Sequence, residues 1–119
     1  MRVEEIYMQA LSSLGVPVSQ EPAGGKNETY ITFNQVYGSY VRYRSNRPGR
    51  VRHQVQVHVF TRRDDGTHLT LMRQAIQALA TAGIAIISWG PDEFEDETGY
   101  NHIAITTELR EPIEKEETP

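Results

Sequence analysis

The stretch Val51-Arg52-His53-Gln54-Val55-Gln56-Val57-His58-Val59-Phe60 has the clearest structural pattern in the chain. Valines and one histidine occupy its odd positions, whereas charged or polar side chains occupy the even positions up to His58, before Phe60 ends the run. Because successive side chains of a β-strand point to opposite faces, this alternation predicts a strand with one dry face and one wetter face. We therefore expect a sheet that other elements cover on one side.

Further strands are predicted on both sides of this stretch. Residues 29–37 are rich in β-branched and aromatic side chains and predict the preceding strand. Residues 38–49 between the two strands are long for a hairpin turn, and we expect an extended, partly ordered arm there. The continuous apolar run Ile84–Trp89 predicts a buried strand, followed by a turn from Gly90 to Glu97, and His102–Leu109 alternates as a final strand.

Two segments have the apolar spacing of amphipathic helices. The first helix is expected to end at Gly15, because glycine readily adopts the left-handed conformation that terminates a helix, and Pro17 prevents the helix from continuing. The second follows Asp64-Asp65-Gly66, with Thr67 as the expected N-cap, and ends at Gly83. The two apolar stripes comprise Val3, Ile6, Tyr7, Ala10, Leu11 and Leu14, and then Leu69, Met72, Ala75, Ile76, Leu79 and Ala80.

These elements predict an α+β fold in the order α-β-β-α-β-β. We expect a mostly antiparallel four-stranded sheet with both amphipathic helices packed on one face. Residues 19–27 are rich in proline, glycine and polar side chains and are expected to form a loop. The length of 119 residues fits one domain, predicted over residues 1–110, with residues 111–119 as a charged, flexible tail.

Composition narrows the class of protein. The chain has no cysteine, which excludes disulfides and thiolate metal sites. Glu4 and Glu5 lie soon after Arg2, where a signal peptide needs apolar residues. No apolar run approaches eighteen residues. These features predict a soluble cytoplasmic protein.

Charge is strongly polarised along the chain. Residues 1–91 carry a formal charge of +4 and residues 92–119 a formal charge of −8. The acid block, residues 92–97, consists of Asp92, Glu93, Glu95, Asp96 and Glu97 around one phenylalanine. The Arg/Tyr arm, residues 37–52, contains Arg42, Arg44, Arg47, Arg50 and Arg52 interleaved with Tyr37, Tyr40 and Tyr43. A domain polarised in this way is suited to binding a charged partner, and copies of itself are the obvious candidate.

No catalytic, cofactor or metal site is predicted, and we expect the protein not to be an enzyme. The acid block lacks the alternating ligands and central glycine of a calcium loop. His53 and His58 lie five apart in one predicted strand, so they point to opposite faces and cannot share a metal. Gly24-Gly25-Lys26 lacks the spacing of a phosphate-binding loop, and no serine lies in a Gly-x-Ser-x-Gly turn.

The Arg/Tyr arm has three interpretations at this point. It is a solvated hairpin tip, a protein–protein contact, or a nucleic-acid contact in which arginines bind phosphates and tyrosines stack on bases. The net acidic charge of the chain disfavours general nucleic-acid binding. A small enzyme or ligand-binding domain is a further alternative, although no convergent polar groups indicate one.

Two stretches of the chain carry a resemblance to a known family. One is Val55-Gln56-Val57-His58-Val59-Phe60, which leads through a charged turn into the second helix. The other is Gly90-Pro91-Asp92-Glu93-Phe94-Glu95-Asp96-Glu97-Thr98-Gly99-Tyr100-Asn101-His102, which precedes the final strand. In these stretches the chain resembles the tail terminator and tail completion (tail-to-head joining) proteins of long-tailed bacteriophages, and the resemblance spans about residues 3–110. In that family the second stretch is a hairpin feeding the final strand.

The resemblance implies a structural virion protein that forms a ring, typically of six subunits, which caps the tail tube and docks the head connector. Its implied partners are other copies of itself, the tail tube protein and the head completion protein, with DNA only as passing cargo. Assembly in the host cytoplasm would precede residence in the virion tail. Our hypothesis is that Arg42, Tyr43, Arg44, Arg47 and Arg50 contact Asp92, Glu93, Glu95, Asp96 and Glu97 of the next subunit, or the tube.

Overall fold

The computed structural model describes residues 2–20, 27–42 and 48–112, with residues 37, 39–42, 48–51 and 111–112 described by their backbone alone. The elements in chain order are α1 (Val3–Leu11), a 3-10 turn (Ser12–Leu14), β1 (Val18–Gln20), β2 (Thr29–Arg42), β3 (Pro48–Thr61), α2 (Thr67–Thr81), β4 (Ala85–Glu95) and β5 (Tyr100–Pro112). The α+β class is confirmed. Residues 113–119 of the predicted tail lie outside the described part, and β5 continues two residues beyond the predicted domain boundary.

The sheet has five strands rather than four, in the order β1-β2-β3-β5-β4. The additional strand, β1, lies in the segment that we expected to be a loop, and it pairs with β2 in parallel. The backbone carbonyl of Pro17 accepts a hydrogen bond from the N–H of Ile31 at 2.9 Å as this pairing begins. Three residues are too short to show an alternating pattern, so β1 could not be recognised from its sequence.

The central strand is β3, which pairs antiparallel with β2 on one side and β5 on the other. Its predicted alternation is confirmed, because Val55, Val57 and Val59 are all buried. Their cross-strand neighbours on the same face include Phe33 and Ile105. The core on this face comprises Val3, Tyr7, Leu11, Ile31, Phe33, Val55, Val57, Val59, Leu71, Met72, Ala75, Leu79, Ile84, Ile103, Ile105 and Leu109.

Both helices pack against this same face of the sheet, as predicted. The buried stripe of α2 is rotated from the expected one, since His68 and Leu71 are buried whereas Leu69 and Ala80 are exposed. A histidine gives no hydrophobic signal, and the sequence pattern therefore pointed to the neighbouring stripe.

The start of α2 also differs from the prediction. Its N-cap is Gly66, whose φ of 84° is left-handed, and Thr67 is the first helical residue. The carboxylate of Asp65 accepts hydrogen bonds from both the backbone N–H and the hydroxyl of Thr67. The predicted presence of acid near this positive end of the helix dipole therefore holds, although the cap is one residue earlier.

A strand is confirmed in the segment Ile84–Trp89, but the prediction that it is buried is wrong. Only Ile84 is deeply buried, and β4 lies at the edge of the sheet. The strand does not end at Gly90-Pro91 but continues through this cis peptide to Glu95. Register shifts between Ile86 and Ser88, and between Trp89 and Asp92, mark two irregularities along it. Edge strands commonly have such irregularities, which discourage uncontrolled pairing.

A buried hydroxyl pair joins α1 to the sheet. The Tyr7 hydroxyl lies 2.6 Å from Thr107 Oγ1, and Thr107 donates its own proton to the carbonyl of Val55 at 2.8 Å. Because a threonine hydroxyl has only one proton, Tyr7 must be the donor to Thr107. Burial raises the pKa of Tyr7 to about 12, since ionisation would place an unpaired charge in the apolar core.

We expect the free energy of unfolding to fall as the pH rises from 10 towards 12. The pKa of Tyr7 is raised above its ordinary value of 10.0 in the folded chain. The stabilising contribution is therefore complete below pH 10 and is lost as the pH rises through the folded pKa. Two pKa units correspond to roughly 2–3 kcal/mol. Urea denaturation of wild type and Tyr7→Phe between pH 8 and pH 11.5 measures the effect.

At pH 8 the Tyr7→Phe protein should be about 1 kcal/mol less stable, because a hydrogen bond is lost. The difference in the free energy of unfolding between the two proteins should shrink as the pH rises, because phenylalanine cannot ionise. Parallel declines in the two proteins would contradict the assignment of this alkaline sensitivity to Tyr7.

Candidate assembly surfaces

The acid block lies on the hairpin formed by β4 and β5. We predicted it as a turn, but Asp92, Glu93 and Glu95 belong to β4, and only Asp96 and Glu97 lie in the turn that precedes Tyr100. The backbone N–H groups of Thr98 and Gly99 close this turn on the carbonyl of Glu95. The carboxylates are therefore held on an ordered hairpin.

Two of these five carboxylates have partners within the chain, one on each face of the sheet. Asp92 Oδ1 lies 2.8 Å from Nε2 of the nearly buried His68 at the start of α2. Glu95 accepts a hydrogen bond from the hydroxyl of Thr98 at 2.8 Å and lies 3.4 Å from His102 Nδ1. The other three, Glu93, Asp96 and Glu97, are exposed and form no ion pair with any described residue. Their charge is available to a partner.

A line of hydrogen bonds crosses the helix-free face of the sheet and ends at the acid block. Asn34 Oδ1 lies 3.0 Å from His58 Nε2, and His58 Nδ1 lies 3.0 Å from His102 Nε2. If neutral His58 donates from Nε2 to the Asn34 oxygen, its Nδ1 must accept from His102. His102 Nδ1 then faces Glu95 at 3.4 Å. The line connects β2, β3, β5 and β4.

Aromatic stacking supports the same line. The ring of Phe60 stacks on His102 with centroids 4.3 Å apart and on Tyr30 with centroids 4.7 Å apart. Arg62 lies over the ring of Tyr100 at 4.5 Å and donates from Nε to the carbonyl of Thr98. These contacts fix the base of the acidic hairpin against the sheet. The sequence correctly predicted that His53 and His58 point to opposite faces of the sheet. It could not show that His58 and His102 are in contact.

The Arg/Tyr arm is described only in part. Arg42 and Arg50 lie on β2 and β3, which form one long hairpin, whereas Tyr43, Arg44 and Arg47 lie outside the described residues. Arg52 Nε lies 3.9 Å from Glu108 Oε1, and Arg110 donates to the other oxygen of Glu108 at 2.8 Å. One glutamate thus pairs with two arginines at the root of the arm.

The arm and the acid block lie at opposite ends of the sheet. Along β3 and β5, Thr61 pairs with Asn101 near the acid block, and Arg50 pairs with Pro112 near the arm. At about 3.3 Å per residue, these two levels are roughly 36 Å apart. The chain is correspondingly elongated, with extents of 54 × 25 × 24 Å. The described arginines at this end of the arm, Arg42 and Arg50, therefore lie far from the acid block of their own chain.

Sequence analysis missed an exposed aromatic surface on β4. Trp89 is 59% exposed and Phe94 is 56% exposed, and Ile87 on the same strand is also exposed. A continuous apolar run is compatible both with a buried strand and with an edge strand that a partner covers. The acids that begin at Asp92, shortly after Trp89, were the available signal, because a fully buried strand would not be expected to continue into them.

No group of three or more His, Cys, Asp or Glu side chains among the described residues could hold a metal ion. Neither of the described helices is long and apolar enough to cross a membrane.

Comparison with solved structures shows a shared fold. A chain in the virion of a native gene transfer agent (GTA) particle superposes with a TM-score of 0.61 at 15% identity, over 92% of this chain and 94% of that one. A second solved protein, with no stated function, gives a TM-score of 0.56 at 17% identity over 96% of each chain. No protein-family model matches the sequence, and no curated protein matches it. The likeness therefore defines the architecture.

We expect the contact between His102 and Glu95 to restrain the acidic turn. In His102→Phe, an aromatic ring can still stack on Phe60 but cannot bond Glu95. Amide hydrogen exchange at Thr98 and Gly99 should become roughly two- to fivefold faster, because a single polar contact contributes about 1 kcal/mol. The control is His53→Phe, which alters a histidine near the arm. Equal exchange in both variants would show that His102 does not restrain the turn.

Proposed function

We propose that this chain is a structural protein of a phage or phage-like particle that assembles as a ring on the tail tube. The ring would stop growth of the tube and offer a docking face to the head connector. Two findings support this proposal. The chain shares its fold with a chain of a gene transfer agent virion, and its sequence resembles tail terminator and tail-to-head joining proteins over about residues 3–110.

The observation that carries the proposal is the separation of opposite charges. Glu93, Asp96 and Glu97, which form no ion pair with any described residue, lie at one end of the sheet, and the backbone of Arg42 and Arg50 in the arm lies at the other end. Because the described part of the arm lies far from the acid block, the two surfaces can contact different neighbours. A contact between two different surfaces of identical subunits is heterologous, and it closes into a ring when the rotation between subunits is suitable.

Charge pairs of this kind direct assembly more than they hold it together. Exposed pairs are individually worth about 0–1 kcal/mol, although they accelerate encounter and fix the register of a contact. The proposed ring therefore depends on salt for its rate and register and needs an apolar contact for its strength. The proposed partners are further copies of this chain, the tail tube protein and the head completion protein. We propose six subunits, the number that the sequence resemblance implies.

We expect charge reversal at either surface to block assembly and a mixture of the two variants to restore it. One variant carries Arg44→Glu and Arg47→Glu, and the other carries Asp96→Lys and Glu97→Lys. Each alone brings like charges together at every contact. In a mixture, the acidic arm meets the basic turn, and the unchanged arm meets the unchanged turn, so an alternating ring can close. Light scattering behind a sizing column measures the mass, expected near six times 13.5 kDa.

A matched control separates specific pairing from a change in overall charge. Asp96→Asn with Glu97→Gln and, separately, Gln9→Lys with Gln77→Lys both change the net charge by two positive units. Gln9 and Gln77 are exposed on the helices. Only the first double variant should weaken assembly. If both weaken it equally, or if the mixture of reversed variants stays unassembled, the arm does not pair with the acid block.

Capping of the tail tube is a separate test. Addition of this chain to polymerising tail tube protein should shorten the tubes and place an extra ring at one end, as seen by electron microscopy. Binding of duplex DNA that weakens steeply with salt, with no effect on tube length, would instead favour the nucleic-acid-binding module.

A further inference from the structure

The helix side of β4 carries an exposed surface that the charge pairing does not explain. By their register with β5, Trp89 lies opposite Ile105 and Asp92 lies opposite Ile103. Phe94 lies opposite Asn101 on the same face. These three side chains, Trp89, Asp92 and Phe94, are hereafter the β4 patch. Both aromatic side chains are more than half exposed, as is about half of the Asp92 side chain.

No described element covers the β4 patch. Because β4 is the last strand of the sheet, no strand among residues 2–20, 27–42 and 48–112 lies beyond it. The start of α2 reaches only as far as the bond between His68 and Asp92. Large aromatic side chains that are left exposed together commonly mark a contact surface, and tryptophan is among the residues that contribute most at interfaces.

The chemistry of the β4 patch specifies its occupant. Trp89 and Phe94 offer ring faces, which attract guanidinium groups and stack on other aromatic rings. Asp92 and the exposed Asp96 and Glu97 of the adjoining turn offer carboxylates, which bind arginine by charge-assisted hydrogen bonds. A segment that combines arginine with tyrosine fits both features. A purely apolar helix would leave the carboxylates unpaired, and a nucleic acid would be repelled by them.

The Arg/Tyr arm has this composition, with three tyrosines among five arginines. Its described residues lie at the far end of their own sheet from the β4 patch, which favours an arm from another molecule. We propose that the β4 patch is the binding site for the Arg/Tyr arm of a second copy of this chain. This inference rests on the proposed ring and supplies the apolar contact that its charges do not provide.

Within this contact the aromatic and charged groups have different effects. The carboxylates would attract the arm and orient it, and the burial of Trp89 and Phe94 would determine how slowly it leaves. Loss of Trp89 should therefore affect assembly at every salt concentration. Loss of Asp96 and Glu97 should affect assembly mainly at low salt, where exposed charges are least screened.

Trp89 reports directly on this surface because it is the only tryptophan of the chain. Its fluorescence and its quenching by acrylamide can be followed as the full-length protein is concentrated, with the mass measured in parallel by light scattering. We expect the emission to shift to shorter wavelength and the quenching to fall as the oligomer forms. Both changes should be absent from the variant with Arg44→Glu and Arg47→Glu.

Substitution tests whether the surface contributes to assembly. Trp89→Ser should weaken assembly by roughly tenfold or more, since central aromatic residues are frequent hot spots of interfaces. Met8→Ser is the matched control, because Met8 is also an exposed apolar side chain, 38% exposed, but lies on α1. Thermal unfolding of both variants excludes a general loss of folding.

The absence of cysteine from the chain allows the occupant to be identified. A chain with Phe94→Cys is mixed with a chain with Arg44→Cys under mild oxidation, and a disulfide-linked heterodimer is expected. The same mixture with Met8→Cys in place of Phe94→Cys should give little product.

The outcomes separate this inference from the proposed function. If a ring forms while acrylamide quenches Trp89 as strongly as in the monomer, the inference is wrong but the proposed ring is supported. Protection of Trp89 only after tail tube protein is added, without the cross-link, shows that the tube is the occupant and also overturns it. A protein that neither associates nor caps tubes overturns both proposals.

Discussion

The alternation of β3 is the constraint on which the rest of the structure depends. β3 has a strand on each side, and residues paired across strands lie on the same face of the sheet. The burial of the β3 valines on one face therefore determines the face on which every residue paired with β3 lies. A shift of one residue would exchange the apolar and polar faces of β2 and β5. Both helices then have only one surface on which to bury their apolar stripes, and Tyr7 confirms this placement through its bond to Thr107.

The two faces of the sheet have different roles. The helix side contains the core, whereas the helix-free side carries polar and aromatic side chains in ordered contact, including Asn34, His58 and His102. Hydrogen bonds join β2, β3 and β5 across this face, and His102 contacts Glu95 of β4, so the face is an ordered polar surface rather than a second core. Its effect is to hold the acidic hairpin at a defined position relative to the sheet, and a rigid surface loses less entropy when a partner binds.

The asymmetry of the molecule links its fold to its proposed assembly. The β2–β3 hairpin projects from one end of the sheet, and the β4–β5 hairpin closes the other end. In the proposed assembly, the opposite charges of these two ends attract each other between copies. The exposed aromatic side chains of β4 lie beside the acidic end, so the attractive charges and the surface that can be buried are adjacent.

The sequence by itself determined the α+β class, the faces of β3 and β5, and the two charged segments, because periodicity and charge are local properties. It could not determine the partners of distant residues. The three-residue β1 is formed by pairing with β2, the contact between His58 and His102 requires two strands to be neighbours, and Trp89 is exposed because β4 occupies the edge. An apolar run looks the same in a central strand and in an edge strand. Only the strand order decides which of its side chains are left for a partner, because burial depends on what lies alongside the strand.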